Sequence, residues 1–183
     1  KNMEISEYKN IYKLEKSHFF YVANHKIILE MIKKYLPDKK LQILDAGCGT
    51  GLLAKKMMVF GNVFGIDLSE EAIKFAKRRK IKVIKASVTK IPYPENSFDL
   101  IVSCDVIYHL GVSDDLVALR EFQRILKPKG IIIIRVPAFE WLRSTRDLQV
   151  HSRERYNKSK IKNRLEKVGF QVVKISYVKM LLL

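Results

Sequence analysis

Short apolar runs alternate with amphipathic stretches through the middle of the chain. The runs have the length and β-branched composition of buried strands, whereas the stretches carry apolar residues at helical spacing. In chain order the pattern predicts strand 41–45, helix 51–60, strand 62–67, helix 70–79, strand 81–86, strand 98–104, helix 114–127 and strand 130–136. Strands that alternate with helices are typical of a parallel sheet covered on both faces. The sequence therefore predicts a doubly wound, mostly parallel α/β fold.

Helical patterns precede this core, and a less regular region follows it. Residues 3–16 and 25–36 have the pattern of helices. After the core, residues 138–156 form a long polar and aromatic connection of the kind found in lids and substrate loops. A helix that starts at Ser159 and a strand over 171–178 complete the predicted order.

Composition excludes several classes of protein. A chain of 183 residues buries roughly 70% of its unfolded surface around a single core, so we expect one domain. The longest apolar run, 131–134, is far shorter than the roughly 20 residues of a membrane span, and no signal peptide precedes the first charges. Cys48 and Cys104 suggest neither a disulfide framework nor a metal cluster. We therefore expect a cytoplasmic protein without a metal.

The formal net charge of +16 would suit an anionic partner such as nucleic acid, a phospholipid headgroup or a phosphate-linked substrate. However, the lysines are spread over nearly every predicted helix, which is typical of solvated helix faces. The densest basic block, 77–80, falls in the last turn of a helix, where cations complement the helix dipole. The charge therefore favours a small anionic acceptor over nucleic acid.

The most informative segment is the loop after the first predicted strand. Asp45 ends that strand, and Gly47, Gly49 and Gly51 follow at every second position. Glycine permits backbone angles and close ligand approach that other residues forbid. Because the loop lies at the carboxyl edge of the predicted sheet, where open α/β folds bind ligands, it predicts a cofactor site. The alternative is a tight strand-to-helix connection without a ligand.

The spacing distinguishes between cofactors. A dinucleotide-binding loop has the spacing G-x-G-x-x-G and offers its helix N-terminus to a pyrophosphate, whereas this loop has G-x-G-x-G. The carboxylate of Asp45 would repel a diphosphate but attract the α-ammonium of an amino acid. Asp67, at the end of the next strand, is placed to accept hydrogen bonds from both hydroxyls of a ribose. The two acids together favour S-adenosylmethionine.

The loop motif D-x-G-x-G-x-G, the acid at the end of the next strand and the segment 97–102 together resemble the class I S-adenosylmethionine-dependent methyltransferases, which have a Rossmann-like fold. The resemblance extends from about Ile43 to Pro137. It implies cofactor contacts from a set of loop and strand-end residues, namely Asp45, Gly47, Cys48, Gly49, Gly51, Asp67, Leu68, Ser87, Val88 and Cys104. Ser87 stands where related enzymes usually present Asp to the adenine amino group, so its hydroxyl or nearby backbone would make that bond.

Methyl transfer from a sulfonium needs alignment and water exclusion, with a base only when the acceptor must lose a proton. The segment 103–110 resembles the family's region near the transferred methyl, and within it His109 is the candidate base because a neutral imidazole accepts a proton near pH 7. Its alternative role is to brace the loop. Tyr108 is a candidate acceptor contact, with packing as the more common role of such a residue.

Two outer segments resemble a bacterial and archaeal subgroup of methyltransferases of type 11 or 12. One contains His18 and Phe20, and the other contains His151, Arg155 and Tyr156. In that subgroup such motifs flank the site, which implies that His18 and Phe20 close over the cofactor and that Arg155 and its neighbours contact the acceptor. The alternatives are ordinary helix packing for the first segment and a solvated loop for the second.

The resulting hypothesis is one methyltransferase domain with a helical cap at 1–40, a cofactor-binding core at 41–137 and a substrate-facing region at 138–183. Its cofactor is S-adenosylmethionine, its product is S-adenosylhomocysteine, and its acceptor is a small molecule, a glycan or a lipid-linked compound. The alternatives are an RNA methyltransferase and a non-catalytic cofactor-binding regulator. We expect the last strand of the fold to be missing, with residues 181–183 forming either the start of that strand or a membrane anchor. We expect the protein to be a monomer or a homodimer.

Overall fold

The computed structural model describes residues 5–178. The helices are α1 (Ile5–Leu14), α2 (Phe19–Tyr35), α3 (Leu52–Met57), α4 (Glu70–Arg78), α5 (Asp115–Ile125), α6 (Thr145–Gln149) and α7 (Lys158–Lys167). The strands are β1 (Leu41–Ala46), β2 (Gly61–Asp67), β3 (Lys82–Lys85), β4 (Phe98–Cys104) and β5 (Leu126–Arg135). Short 3-10 turns occupy Met58–Phe60 and Glu140–Leu142.

The five strands are all parallel and lie in the order β3-β2-β1-β4-β5. This arrangement confirms the predicted α/β fold. The chain builds the sheet outward from β1 to β3 and then crosses to the other side of β1 to form β4. In open parallel sheets, ligands bind at the carboxyl edge where the strand order changes direction. The fold therefore places the ends of β1, β2 and β4 around the expected ligand position.

Both faces of the central strand are covered, which explains its continuous apolar run. Leu44 belongs to a core cluster with Leu119 and Phe122 of α5. Its neighbour Ile43 belongs to a second cluster with Ile32 of α2 and Met57 of α3. Successive strand side chains point to opposite faces, so a strand buried on both faces needs apolar residues at every position. These two layers fix the backbone of β1, whose second-last residue is Asp45.

The helix boundaries follow from their caps. Helix α2 begins six residues earlier than the pattern predicted because His18 is its N-cap, with Nδ1 accepting from the backbone N–H of Phe20 at 3.3 Å. Helix α7 begins before Ser159, since Asn157 accepts from the N–H of Lys160 at 2.8 Å. At the other end of α7, Gly169 has the left-handed conformation that often ends a helix, with φ of +93°.

The strand predicted over 171–178 is wrong, because these residues have no regular secondary structure. A strand requires a partner, and within residues 5–178 none of the strands pairs with this segment. Its apolar residue Ile175 still packs against the cluster of Leu44 and Phe122. The alternation that resembled a strand therefore reflects packing of single side chains. In the described part of the chain, no helix is both long and apolar enough to cross a membrane.

Candidate functional site

The glycine-rich loop adopts backbone angles that other residues disfavour. The φ angles of Gly47, Gly49 and Gly51 are +83°, +53° and +80°. A Cβ on Gly47 would lie 2.2 Å from a methyl carbon of Val106, whereas a Cβ on Gly49 would meet nothing within 4 Å. The N–H of Gly47 donates to the carbonyl of Ile66 at 2.9 Å, which ties the loop to β2. The loop is therefore packed against Val106 and β2 at Gly47, whereas the space beside Gly49 is open.

Asp45 lies beneath this loop and is only 2% exposed. Its Oδ2 atom has no hydrogen-bond partner, and no basic side chain in the described residues forms an ion pair with it. Burial, followed by the negative charge of Asp67, raises the pKa of Asp45 to about 7. A buried carboxylate without a counter-ion is unstable in its charged form, so a cation bound at the loop would be favoured there.

Asp67 binds two backbone N–H groups beside the glycine-rich loop. Its Oδ2 accepts from the N–H of Gly49 and its Oδ1 from the N–H of Ser69, both at 2.9 Å. Burial raises the pKa of Asp67, while these backbone N–H groups and the charge of His109 act in the opposite direction. Each carboxylate oxygen has a second lone pair, so the two bonds leave capacity to accept ligand hydroxyls. Asp67 therefore has a structural role that the sequence pattern did not predict.

The remaining predicted cofactor residues differ in what their side chains can offer. Leu68 is 38% exposed beside Asp67 and presents an apolar surface, whereas Val88 is buried in the core. The Ser87 hydroxyl lies 2.7 Å from that of Thr89 and also accepts from the Thr89 N–H at 3.1 Å. Burial raises the pKa of the Cys48 thiol, and that of Cys104 to about 12, so both remain neutral.

Helix α1 and Glu15, which directly follows it, contribute contacts to the site that sequence reasoning missed. Thr50, inside the glycine-rich loop, donates its hydroxyl to Oε1 of Glu15 at 2.6 Å. Arg79, just after α4, lies 2.7 Å from the same oxygen, and both charged side chains are 5% exposed. These three residues form a buried polar cluster that clamps the loop between α1 and α4. A threonine between two glycines was the sequence signal for such a contact.

Tyr8, also on α1, reaches Asp67. Its side chain hydrogen-bonds that of Ser69, and burial together with the charge of Asp67 raises the pKa of Tyr8 to about 12. The Tyr8 ring packs with Ala72 and Phe75 of α4. Helix α1 therefore covers the end of β2 with an aromatic side chain.

His109 lies in the loop after β4, and its Nε2 is 2.9 Å from the carbonyl oxygen of Asp105. A carbonyl only accepts, so a neutral imidazole donates through Nε2, which leaves Nδ1 as the basic nitrogen. Burial lowers the pKa of His109, whereas hydrogen bonds from the ring to the backbone at Asp105 and Val150 act in the opposite direction. Tyr108 stacks on it with ring centroids 4.5 Å apart. These contacts hold the His109 ring in the loop, as its alternative role of bracing would require.

His18 and Phe20 lie at the start of α2. Besides capping the helix, the His18 ring stacks on Phe19 at 4.9 Å, so it takes part in the local packing named as its alternative role. The Phe20 ring centroid lies 5.5 Å from the guanidinium carbon of Arg135 at the end of β5. Phe20, but not His18, lines the same cleft as Gly49 and Asp67.

The three residues of the second outer segment are held by other parts of the chain. Arg155 makes a two-bond pair with Asp147, at 2.9 Å for each bond, and donates to the carbonyl of Ala138. The same pair lowers the pKa of Asp147 to about 2. Tyr156 is buried and donates to Asp115 at 2.7 Å. His151 contributes its carbonyl to the N–H of Leu110 at 2.9 Å. These bonds position the segment, and an acceptor anion would compete with Asp147 for Arg155.

One cleft brings together many of the predicted residues. Its volume is about 1790 Å³, which exceeds the roughly 300–1,000 Å³ of a typical small-molecule site. It runs from the glycine-rich loop along the edge of β5 to residues 169–178. The predicted residues on its wall are Gly47, Gly49, Asp67, Leu68, Val88, Cys104, Tyr108, His109, Phe20, Arg155 and Tyr156. The cleft therefore has space for a cofactor and a second molecule.

The residues present fit S-adenosylmethionine. A buried acid without a cation lies under the loop, open space lies at Gly49, and an exposed apolar side chain follows Asp67. Asp45 would favour the cofactor's ammonium by its charge, Gly47 and Gly49 would admit it, and Asp67 would accept from its ribose.

Comparison with known proteins points to the same family. Residues 44–134 match the family model described as a methyltransferase domain. A demethylmenaquinone methyltransferase of Staphylococcus aureus is 32% identical over 120 residues, which cover 60% of this chain and 48% of that protein. An uncharacterised protein of Methanocaldococcus jannaschii is 33% identical over 104 residues, covering 57% of this chain and 44% of that protein. The chain spans less than half the length of both relatives.

Solved structures share the fold. A protein of Thermotoga maritima described as a methyltransferase dependent on S-adenosylmethionine and possibly a histamine N-methyltransferase has a TM-score of 0.71 at 23% identity, covering 92% of this chain and 78% of that one. Phosphoethanolamine N-methyltransferase 2 of Haemonchus contortus, solved with S-adenosylmethionine, has a TM-score of 0.66 at 24% identity, covering 78% and 36%. By the family match and the loop motif, residues 44–134 belong to the class I S-adenosylmethionine-dependent methyltransferases, and the solved structures share the fold of that class.

Proposed function

We propose that this protein transfers a methyl group from S-adenosylmethionine to a small-molecule acceptor, including a glycan or a lipid-linked compound. The observation that carries the proposal is the buried carboxylate of Asp45, which within the described residues has no counter-ion and whose Oδ2 has no hydrogen-bond partner, beneath a glycine-rich loop with Asp67 at the end of the adjacent strand. The relative named demethylmenaquinone methyltransferase acts on a small molecule, which is one of the proposed acceptor classes.

The chemistry assigned to the protein is positioning. When bound, the cofactor supplies a methyl group on an activated sulfonium. The loop clamped by Thr50, Glu15 and Arg79 holds the binding surface, and Phe20 and Leu68 exclude water from the cleft. His109 accepts or relays the acceptor's proton where the acceptor must lose one, and its neutral form at pH 7 is suited to that step.

Calorimetric titration with S-adenosylhomocysteine and with NAD tests the cofactor assignment. We expect binding of S-adenosylhomocysteine and none of NAD, because Asp45 and Asp67 would repel a diphosphate. NAD binding of equal or greater affinity would overturn the proposal.

A matched pair of variants tests the loop. Gly49 and Gly169 both have left-handed φ angles, and a Cβ on either would meet nothing within 4 Å. Replacement by Ala therefore strains the backbone similarly at both positions, by about 1–2 kcal/mol. We expect Gly49→Ala to weaken cofactor binding at least about tenfold, a loss of about 1.4 kcal/mol, and Gly169→Ala to leave it unchanged. Equal affinities in the two variants would place the cofactor elsewhere.

A further inference from the structure

Asn24 is a buried polar residue whose side chain lacks a partner. It lies on α2, is 5% exposed, and neither its Oδ1 nor its Nδ2 has a hydrogen-bond partner within the described residues. Buried amides are almost always hydrogen-bonded, because an unpaired one loses its bonds to water without replacement. Asn24 lines the cleft that contains Gly49 and Asp67. A ligand in the cleft would supply the missing partner.

Asn24 lies one helical turn after Phe20, whose ring is near Arg135. Asn24 follows Phe20 by four residues on α2, so the two share a helix face. The Phe20 ring lies 5.5 Å from the Arg135 guanidinium carbon. Burial lowers the pKa of His25, next to Asn24, to about 4, and the charges of Lys56 and Arg135 contribute to that shift. Arg135 is therefore near this part of α2.

Arg135 also has an unused donor. It is the last residue of β5, and its Nη2 pairs with Asp105 in the loop after β4. Its Nε is buried and has no hydrogen-bond partner in the part of the chain that the structure describes. Asn24 Nδ2 and Arg135 Nε are thus two unpaired N–H donors on residues that line the same cleft, and guanidinium donors are well suited to carboxylate oxygens.

We propose that Asn24 and Arg135, with Phe20 beside them, form a subsite for a carboxylate group next to the cofactor site. The proposal rests on the proposed function only for the identity of the neighbouring ligand. Two molecules could supply the carboxylate: the cofactor, whose amino-acid end carries one, and the methyl acceptor. In either case the group accepts from Arg135 Nε and Asn24 Nδ2, and the Phe20 ring packs against the adjoining apolar atoms.

The acceptor source is tested with benzoate and its neutral counterpart benzamide on protein saturated with S-adenosylhomocysteine. Binding is followed by ligand-observed NMR. If the acceptor supplies the group, we expect benzoate to bind at least about tenfold more tightly than benzamide, and this preference to disappear in Arg135→Gln. Arg78→Gln is the matched control, because Arg78 is an exposed arginine 5.2 Å from the ring of Phe75 and should leave the preference unchanged.

The cofactor source is tested by comparing S-adenosylhomocysteine with 5′-methylthioadenosine, which lacks the amino-acid end. If the cofactor supplies the carboxylate, Arg135→Gln weakens binding of the first compound about tenfold and leaves that of the second unchanged. Asn24→Leu provides an independent check, since it removes the unpaired amide. It should raise the melting temperature while weakening whichever carboxylate ligand binds.

The proposal is overturned if benzoate shows no preference over benzamide and S-adenosylhomocysteine binds both variants as it binds the wild type. Failure of the proposed function gives a different result, namely no binding of S-adenosylhomocysteine to the wild type. In that case the carboxylate subsite is tested separately, by comparing the binding of benzoate and benzamide to the protein without cofactor.

Discussion

Protonation of Asp45 should control cofactor affinity between pH 5.5 and 7.5. Burial raises the pKa of this carboxyl from 3.8 to about 7, so near neutral pH the free protein holds a mixture of its protonated and charged forms. A bound ammonium favours the charged form, and below pH 7 the proton must leave before the charges can interact. If the coupling is complete, affinity for S-adenosylhomocysteine falls about 25-fold from pH 7.5 to 5.5.

The same pKa makes a prediction about stability. In the unfolded chain Asp45 loses its proton near 3.8, whereas the folded protein retains it to about pH 7. The folded state therefore binds more protons over this interval, and its free energy of unfolding decreases as pH rises through it, by up to about 4 kcal/mol in total. Asp45→Asn removes this penalty. The variant should thus be more stable than the wild type at pH 8 while binding the cofactor more weakly.

Calorimetry in two buffers of different ionisation enthalpy measures the protons released on binding. At pH 6 we expect the wild type to release about 0.9 proton per cofactor more than Asp45→Asn releases. Asp67 and His109 titrate in both proteins, so the difference isolates Asp45. Equal proton release and equal pH dependence in the two proteins would show that Asp45 does not sense the cofactor's charge.

Four further results are expected. Glu15→Gln should destabilise the protein by about 3–5 kcal/mol in chemical denaturation, because it leaves the buried Arg79 without its counter-ion, and should also weaken cofactor binding; unchanged stability would argue against the clamp. His109→Asn should lower turnover about 10²–10⁴-fold at unchanged cofactor affinity if His109 is the base, whereas a parallel loss of affinity and melting temperature would indicate bracing alone. Phe20→Ala should raise the cofactor dissociation constant without altering the pH profile of the reaction. Filter binding should detect no submicromolar RNA affinity at physiological salt, and such affinity with a steep salt dependence would favour the RNA alternative.

The fold and the cofactor loop were predictable because their signals are local. Strand β4 matches its predicted range, since a run buried on both faces is apolar at every position. The angles of Gly47 and Gly49 are properties of single residues that only glycine adopts easily. The prediction for 171–178 failed because a strand also depends on a partner, which alternation along one segment does not reveal.

The outer contacts were not predictable for a related reason. The pairing of Arg155 with Asp147 depends on two side chains whose meeting is fixed by the path of the loop between them. The sequence showed an arginine suited to an anion, and the structure shows that an anion of the chain already binds it. The proposed subsite of Asn24 and Arg135 was equally hidden, because its two residues come from α2 and from the edge strand β5.

The contacts of helix α1 connect the stability of the fold to the cofactor site. Thr50 and Gly49 are adjacent in the glycine-rich loop. The N–H of Gly49 donates to Asp67, and the hydroxyl of Thr50 donates to Glu15, which lies just after α1. On the same helix, Tyr8 lies close to Asp67. A cofactor that contacts Asp67 and Gly49 therefore interacts with groups that also hold α1 in place. Because binding and helix docking share these contacts, cofactor binding should protect the backbone amides of α1 from hydrogen exchange, and the Glu15→Gln variant should lose that protection first.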